Sequence, residues 1–494
     1  MIRRLLKTIA ICIASLLGLL VAAYGLLVLL SLQKAPLHPE VEAFLRPEAI
    51  VVAPERNGFY FWIGLNAPAG EDPIQYGKRA IAELGHRSPA AKDAAAARAE
   101  KELRLVYDRK LICNQVPCLY SAMQNAAQLR ELAKANAELL RRYAALIRFD
   151  EFATDMPVLD PMDLLPARED QLFLFRLART LDAVDVNEGK AAEAIDRLAT
   201  RVRFLRLMHA NSAGLIDRII AQALLAKDLE FLVKMAVSEP GAAKAVTARV
   251  AAIAAPMTVA ERSPLKWMRH EFSNKFASTD PGKPDAWRQS VCGALLGKFG
   301  FDSYIELSTS GKLDERCGRW DMRILALAGA PLIDRNAMAN QRFETIRQLH
   351  QIDAPDTLSY LGRFHAVVAA AEGRRRADTS WPLRNPVDAW IGTALIPDSV
   401  ADAKSYHLSA IDLDRLFALT RLAVALNRDR IKESEIAAYL KQPGVLDPAT
   451  KEPFGWDSAK GQVFFVPLDP WIAARGRVGG IDGRVGLTLV SALR

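Results

Sequence analysis

The sequence predicts a mainly α-helical protein in which an N-terminal transmembrane helix precedes an irregular bundle or array of helical hairpins and a small C-terminal β-hairpin. Three observations lead to this prediction. A run of 24 residues without a charge, Ile9–Leu32, is long enough for a helix to cross a hydrocarbon core of about 30 Å. Apolar residues then recur at three- and four-residue spacing, which is typical of amphipathic helices. Short alternating runs follow Pro443 and Gly444 and indicate strands.

Composition excludes several other classes of protein. The chain has 494 residues, of which 51% are hydrophobic, 25% charged and 7% aromatic, so it can bury a large core and is not disordered. Five cysteines are too few for a small disulfide scaffold of this length. One long apolar run excludes a transporter with many spans. The length predicts about three domains.

The apolar run predicts an uncleaved membrane anchor whose lipid contacts are made by residues 9–32. Basic residues precede it, so the N-terminus is expected in the cytoplasm and residues 35–494 outside; these are Arg3, Arg4 and Lys7. The Ala-, Arg- and Leu-rich composition is typical of a bacterium, which makes the predicted location the inner membrane with a periplasmic body. Two alternatives are a signal peptide cleaved after Val21-Ala22-Ala23 and a lipoprotein signal at Cys12, although Ile11 is bulky for the latter.

The net charge gives no indication of a nucleic-acid partner. The formal charge is +8, and half of it lies within residues 1–34. The remaining 460 residues carry only +4, a small excess for their length. The expected partners are therefore the lipid bilayer and an envelope protein.

Punctuation by proline divides the chain into four predicted regions: residues 1–34 (cytoplasmic tip and anchor), 35–165 (N-terminal helical region), 166–376 (central helical domain) and 377–494 (C-terminal helices with the β element). No internal repeat with fixed positions is recognisable.

Within these regions the pattern makes specific predictions. Leu119–Ile147 reads as one long amphipathic helix supported by a Glu138–Arg142 pair. The acidic stretch Asp150–Asp170 lacks the order of ligands of a calcium loop and is expected to be a solvated linker. Ser409–Asp412 resembles a capping box that begins a helix after a break.

Two short runs near the C-terminus, Gln462–Val466 and Val485–Val490, are predicted to pair as a hairpin. Several aromatic residues lie around them, and these are expected to pack the hairpin onto the helices; a glycan- or peptide-binding platform is the alternative. The aromatics are Phe454, Trp456, Phe464, Phe465 and Trp471.

The cysteines outside the anchor form two candidate pairs. In an oxidising periplasm we expect disulfides between Cys113 and Cys118 and between Cys292 and Cys317. Free buried thiols are the alternative. A zinc site is not expected, because no histidine lies at ligand spacing from either pair.

Three sequence motifs approach a known catalytic pattern without completing it. His270-Glu271 is followed by Asn274 where a zinc protease has its second histidine. Ser263 and Lys266 have the spacing of penicillin-recognising enzymes, but the other motifs of that class are missing. Gly293–Lys298 is one residue short of a phosphate-binding loop. We therefore assign no catalytic, cofactor-binding or metal-binding residue and expect no cofactor.

Two stretches resemble segments of uncharacterised proteobacterial membrane-anchored exported proteins. One is Asn57-Gly58-Phe59-Tyr60 followed by Leu65-Asn-Ala-Pro-Ala-Gly-Glu-Asp-Pro73. The other is the Asp447-Pro-Ala-Thr-Lys-Glu-Pro453 turn, in which Lys451 and Glu452 stand where the related turn has Gly and Lys. The Cys113 and Cys118 pair before a long helix is similar to the same group. The resemblance implies an exported, anchored, helical protein, and no activity comes with it.

The function expected from these features is a non-enzymatic one, that of an envelope interaction or assembly protein. The alternative is a periplasmic hydrolase acting on a cell-wall or other polymer, in which a histidine or paired carboxylates meet in a pocket. A third reading, a helical ligand-binding module, predicts a large apolar cavity.

Overall fold

The structure is a computed structural model of the whole chain, and it describes the following residues: 2–31, 34–46, 51–84, 100–108, 110–112, 118–155, 165–278, 334–352, 356–378, 399–468 and 484–489. Within them the chain is mainly helical and ends in a small antiparallel sheet, which confirms the predicted fold class.

The helices described are, in chain order, α1 (Ile2–Ser31), α2 (Pro39–Leu45), α3 (Gly58–Ile63), α4 (Pro73–Leu84), α5 (Cys118–Gln124), α6 (Ala126–Ala135), α7 (Ala137–Leu146), α8 (Leu165–Asn187), α9 (Ala191–Asn211), α10 (Leu215–Ser238), α11 (Pro240–Ile253), α12 (Val259–Arg262), α13 (Leu265–Ser278), α14 (Arg335–His350), α15 (Thr357–Asp378), α16 (Ser399–Arg428) and α17 (Glu433–Tyr439). The strands are β1 (Gly455–Asp457), β2 (Gln462–Phe465) and β3 (Val485–Thr488).

The chain divides into two compact units. Unit 1 consists of Met1–Pro47, Phe272–Ile352 and Arg363–Asp402. Unit 2 consists of Glu48–Glu271, Asp353–Gly362 and Ala403–Arg494.

Helix α1 in unit 1 is long and apolar enough to span a membrane, from Lys7 to Leu29. None of its most apolar window is buried, and the side chains of Ile11, Leu19 and Val21 are 62–70% exposed. A helix that belonged to a protein core would bury one face, so its exposed apolar surface fits lipid better than packing within the chain.

The segment that follows the anchor is joined to α14 by hydrogen bonds. The Ala35 N–H donates to Asp334 Oδ2 at 2.6 Å, and the amide of Asn336 donates to the Ala35 carbonyl at 2.9 Å. Asn340 accepts from the His38 N–H at 2.9 Å and donates to the Pro36 carbonyl at 2.8 Å. These side chains form hydrogen bonds with backbone N–H and carbonyl groups that have no partner within a helix or strand.

Apolar packing supports the same part of unit 1. The Phe44 ring of α2 lies 5.8 Å from the Phe272 ring and 5.1 Å from the Phe343 ring, centroid to centroid. Aromatic rings at such separations contribute about 0.5–1.5 kcal/mol beyond the area they bury.

The core of unit 2 is built by α8–α11, whose apolar residues recur at helical spacing and are buried almost completely. On α9, for example, Leu198, Val202 and Leu205 are at most 1% exposed. Helix α3 brings Phe59 and Trp62 into the same core, so this short aromatic run is a buried helix.

The predicted long helix over Leu119–Ile147 is wrong in one respect, because it is interrupted at Asn125 and Asn136 and becomes α5, α6 and α7. At the second break the Asn136 side chain accepts from the Val106 N–H at 2.9 Å and donates to the Leu132 carbonyl at 2.9 Å. An asparagine that bonds backbone groups competes with the helical ladder. The predicted Glu138–Arg142 pair is present at 2.8 Å.

The predicted capping box at Ser409–Asp412 is also wrong, because these residues lie inside α16. Ser409 is buried and its hydroxyl donates to Gln222 Oε1 at 2.9 Å, while Asp412 pairs with Arg415 at 2.7 Å. Their polar groups therefore bond other side chains and do not cap the start of a helix.

The sheet confirms the predicted pairing of the two C-terminal runs and adds a strand. β2 pairs with β3 antiparallel, with Phe465 opposite Val485. β1 pairs with the other edge of β2, with Gly455 opposite Phe464. The ring of Phe464 covers Gly455 so closely that a Cβ there would lie 2.4 Å from it. Phe454 and Phe465 are buried in the core, as expected.

Candidate functional site

One group of buried polar side chains in unit 2 surrounds the four-residue helix α12. We use the name Arg218 cluster for six buried residues here: His209, Arg218, Glu261, Arg262, Tyr360 and Asp414. Each is at most 6% exposed. They come from five helices, so only the tertiary structure brings them together.

Helix α12 is fixed by a capping box. The Thr258 hydroxyl accepts from the Glu261 N–H at 3.2 Å, and Glu261 Oε2 accepts from the Thr258 N–H at 2.6 Å. Reciprocal bonds of this kind satisfy two otherwise orphaned backbone donors. The same carboxylate binds Arg206 of α9 in a bidentate pair at 2.6 and 2.8 Å. The Arg206 guanidinium and this backbone bond hold the pKa of Glu261 below its usual value, although burial opposes them.

Asp414 joins two further elements to α12. Its carboxylate accepts from the Met257 N–H at 2.8 Å, from the Thr357 hydroxyl at 2.9 Å and from Arg262 at 3.3 Å. The first turn of α15, which carries Thr357, and the middle of α16, which carries Asp414, are therefore held against the same short helix.

Arg218 is a buried cation whose hydrogen bonds go to carbonyls. Its guanidinium donates to the Ser263 and Glu261 carbonyls at 2.8 Å each. Within the part of the chain that the structure describes, it forms no ion pair. Burial lowers the pKa of Arg218 to about 10, which leaves it charged at neutral pH.

His209 lies in the last turn of α9 and is completely buried. Neither ring nitrogen has a hydrogen-bond partner among the described residues. Burial and the charges of Arg218 and Arg206 hold the pKa of His209 well below its usual value, so the ring is neutral. Tyr360 is 4% exposed, and its pKa is raised to about 12 by burial although Arg218 and Arg262 oppose this.

A second buried constellation is a chain of alternating charges that we call the ion-pair chain. It begins at Arg179 and Asp228 in the core, passes through Arg201, Asp182, Arg197 and Asp185, and ends at Arg130 and Glu188 near the surface. Each link is 2.5–2.9 Å long. Every carboxylate in its buried part has two guanidinium partners, while Nη2 of Arg201 is buried without a hydrogen-bond partner among the described residues. The chain joins α6, α8, α9 and α10.

The two stretches that carry the sequence resemblance have structural roles. Asn57 caps α3 through the Phe59 N–H at 3.1 Å and bonds the Ala153 backbone through both side-chain atoms, at 2.9 and 2.7 Å. Arg142 donates to several carbonyls of the following loop, the Ala67 oxygen at 2.5 Å among them. At the C-terminal turn, Nη2 and Nε of Arg415 donate hydrogen bonds to Asp447 Oδ2 at 2.7 and 2.8 Å.

The acidic stretch Asp150–Asp170, whose last residues belong to α8, is more than a solvated linker. Of its described residues, Glu151 pairs with Arg56, Asp155 accepts from the Tyr60 hydroxyl, and Asp170 accepts from Asn66 at 2.8 Å. These carboxylates hold the first resemblance stretch in place. Among the described residues no group of three or more metal-binding side chains occurs.

The sequence-predicted disulfides cannot be located on this fold. Cys118 begins α5, while Cys113, Cys292 and Cys317 lie outside the described residues. The two pairings stay predictions. The described motif residues Ser263, His270 and Glu271 lie beside or within α13, and the glycine-rich stretch 293–298 lies outside the described part.

Sequence reasoning missed the Arg218 cluster, although one signal was present. His209 follows Leu205 by four residues and Val202 by seven, so it lies on the buried stripe of α9.

No family model, no curated protein and no solved structure matches the chain.

Proposed function

We propose that the protein is a single-pass inner-membrane protein with a cytoplasmic N-terminus, whose helical body binds a protein partner in the periplasm close to the membrane surface. The observation that carries this proposal is the attachment of the segment after the anchor to α14. Only residues 32–34 separate the end of α1 at Ser31 from the first of those hydrogen bonds, at Ala35. Four residue steps span at most about 14 Å, so this part of unit 1 stays near the end of the anchor.

Attachment over so short a distance suits a protein that presents surfaces to neighbours in or on the membrane. A freely ranging domain is instead connected by a long Gly-, Ser- or Pro-rich linker. Three basic residues at the start of α1, at positions 3, 4 and 7, flank its apolar run and support the proposed orientation.

Topology can be tested with single exposed cysteines introduced at Val51 and Val259, in a chain whose native cysteines are replaced by serine. In intact spheroplasts a membrane-impermeant maleimide is expected to label both positions. A cysteine replacing Met1 or Ile2 is the matched control and is expected to react only after lysis. The opposite pattern contradicts the proposed orientation, and release of the labelled body from washed membranes indicates a cleaved signal peptide.

Partner binding can be tested with a photocrosslinking amino acid at exposed positions of the body. Met123 is 55% exposed and Val259 is 55% exposed, and both are apolar. A discrete crosslinked product from membranes, identified by mass spectrometry and lost when α1 is replaced by a cleavable signal peptide, supports an envelope interaction protein. Crosslinks only to abundant bystanders at every position contradict it.

The proposed location also makes the two disulfides testable. Alkylation of the native protein before and after reduction is expected to reveal four protected thiols, at positions 113, 118, 292 and 317. Full alkylation without reduction contradicts the disulfides and weakens the periplasmic assignment.

A second candidate, a hydrolase acting on a cell-wall or other polymer, is favoured by one observation. His209 is a buried neutral histidine near Arg218 and Arg206, which is the type of environment that tunes catalytic groups. Release of soluble fragments from isolated cell wall by the wild-type protein, and its loss in His209→Ala with the fold intact, is the result that supports this candidate. No release by the wild-type protein argues against it.

A further inference from the structure

Two buried carboxylates share one guanidinium beside the C-terminal sheet. Arg415 donates from Nε and Nη2 to the Asp447 carboxylate at 2.7–3.1 Å, and from Nη1 to Asp412 Oδ1 at 2.7 Å. All three side chains are at most 4% exposed. Asp447 therefore takes the forked side of the guanidinium, and Asp412 receives a single hydrogen bond from it.

The same two residues of α16 hold the segment that leaves β2. The Asp412 carboxylate accepts from the Leu468 N–H at 3.0 and 3.2 Å, and Arg415 Nη1 also donates to the Val466 carbonyl at 2.9 Å. We use the name Asp412 latch for Asp412, Arg415 and residues 466–468. One of its two attachments to the segment is a titratable carboxyl.

The charges around Asp412 favour uptake of a proton. The charged groups that face it are Arg415 on its own helix and Asp447 in the turn before β1, while residues 466–468 contribute backbone groups. Burial disfavours the charged form of a carboxyl, and a second carboxylate nearby adds to this effect. The pKa of Asp412 is raised to about 7 by burial and by Asp447, although Arg415 and the Leu468 N–H oppose this.

We propose that the Asp412 latch is a pH-sensitive switch, which holds the segment after β2 while Asp412 carries a proton and releases it once the proton has left. A neutral carboxyl still has an oxygen that can accept from the Leu468 N–H, so the protonated latch stays closed. Without the proton, the closed latch buries two carboxylates against one guanidinium, and opening brings Asp412 into water. The latch does not depend on the proposed protein partner.

The direction of the pH effect follows from the two states. The closed latch binds the proton more tightly than the open latch, in which Asp412 has the usual carboxyl pKa near 4. Opening therefore becomes more favourable as the pH rises, by about tenfold between pH 6 and 8, and changes little above pH 8.

Hydrogen exchange of the full-length protein in a mild detergent measures this opening, with mass-spectrometric fragmentation that resolves single amides. The protection of the Leu468 N–H, corrected for the intrinsic effect of pH on exchange, is expected to fall about tenfold from pH 6 to pH 8. Its exchange is also expected to be faster than that of the buried residues 198–205 of α9 and insensitive to low concentrations of urea, because the opening is local.

Asp412→Asn is the decisive variant, because its amide oxygen can accept from the Leu468 N–H but does not titrate. The protection of that N–H is then expected to be the same at pH 6 and pH 8. Asp457→Asn is the matched control in β1, where the carboxylate bonds the Lys460 N–H at 3.1 Å and lies 3.7 Å from Arg484. This variant is expected to keep the tenfold change.

Equal protection of the Leu468 N–H at the two pH values in the wild-type protein overturns the proposal. A change that persists in Asp412→Asn overturns it as well, since another group then titrates. The third contradicting result is exchange of Leu468 at the same rate and with the same urea dependence as residues 198–205, because the segment then opens only when the whole protein unfolds.

Discussion

At the scale of single residues, Lys451 is the clearest case of local strain. Among the described non-glycine residues only Arg430 and Lys451 have a positive φ, 52° and 59°. In the turn motif that this stretch resembles, the position of Lys451 is occupied by glycine. A side chain in the left-handed region costs about 1–2 kcal/mol, so here the fold tolerates an unfavourable residue because the turn is fixed from outside by Arg415 and Asp447.

Lys451→Gly is therefore expected to stabilise the protein by about 0.5–1 kcal/mol, the strain relieved minus the extra entropy of glycine in the unfolded chain. Urea unfolding measures this difference. Lys134→Gly in the exposed face of α6 is the control and is expected to destabilise by about 1 kcal/mol. A loss of stability in Lys451→Gly contradicts the strained conformation.

Asp412 gives a prediction for the dependence of stability on pH. It is nearly completely buried and shares Arg415 with Asp447, and burial raises the pKa of Asp412 to about 7. Because its pKa in the unfolded chain is near 4, the folded state binds the additional proton between about pH 4 and 7. This carboxyl therefore makes the free energy of unfolding increase as the pH falls from 8 to 5.

Asp412→Asn removes this contribution. The advantage of the variant over the wild-type protein is expected to be about 2–3 kcal/mol larger at pH 8 than at pH 5. Its amide oxygen can still accept from the Leu468 N–H, as Asp412 does at 3.0 Å. Urea unfolding at four pH values measures the difference, and parallel curves for the two proteins refute the prediction.

At the scale of elements, α3 and α4 approach each other through two glycines. A Cβ on Gly64 would lie 1.9 Å from the Pro73 carbonyl oxygen, and one on Gly77 would lie 2.0 Å from the Tyr60 carbonyl oxygen. Both obstacles are backbone atoms, so no side chain can turn away to make room.

Gly64→Ala and Gly77→Ala are each expected to destabilise by about 3 kcal/mol or more, because the two helices must separate. Gly362→Ala on α15 is the matched control: nothing lies within 4 Å of its Cβ, and alanine is expected to be neutral or to stabilise by up to about 1 kcal/mol. Thermal unfolding ranks the three, and equal midpoints contradict the close crossing.

The ion-pair chain joins four helices and predicts a large cost for removing one member. Arg201 is 1% exposed and contacts both Asp182 and Asp228, so Arg201→Met leaves two carboxylates buried with fewer partners. We expect a loss of about 3–5 kcal/mol. The exposed Arg249–Asp196 pair supplies the control, since Arg249→Met is expected to cost less than about 1 kcal/mol. Similar losses of unfolding free energy in Arg201→Met and Arg249→Met would contradict a stabilising role of the ion-pair chain.

The sequence predicted the elements better than the contacts between them. Amphipathic spacing identified the helices, and alternation identified β2 and β3, because these signals lie within a dozen residues. The break at Asn136 depends on Val106, and the position of Ser409 inside α16 depends on Gln222. Partners that distant leave no periodic signal, so polar residues were assigned to caps and linkers by their local neighbours alone.

At the scale of the whole molecule, the class of protein could be predicted and the candidate site could not. The apolar run and the helical spacing are one-dimensional features, and both are found in the structure as expected. The Arg218 cluster joins residues between positions 209 and 414 and uses residue types that are common on helix surfaces. Only the packing of α12 against its neighbours distinguishes these arginines from solvated ones.

The hydrogen bonds between residues 35–38 and α14 also have a mechanical meaning. They lie just after α1, so in the proposed membrane topology a displacement of α1 would pull first on Asp334, Asn336 and Asn340. Such a force would enter unit 1 through the first two turns of one helix. Three short polar side chains would transmit it.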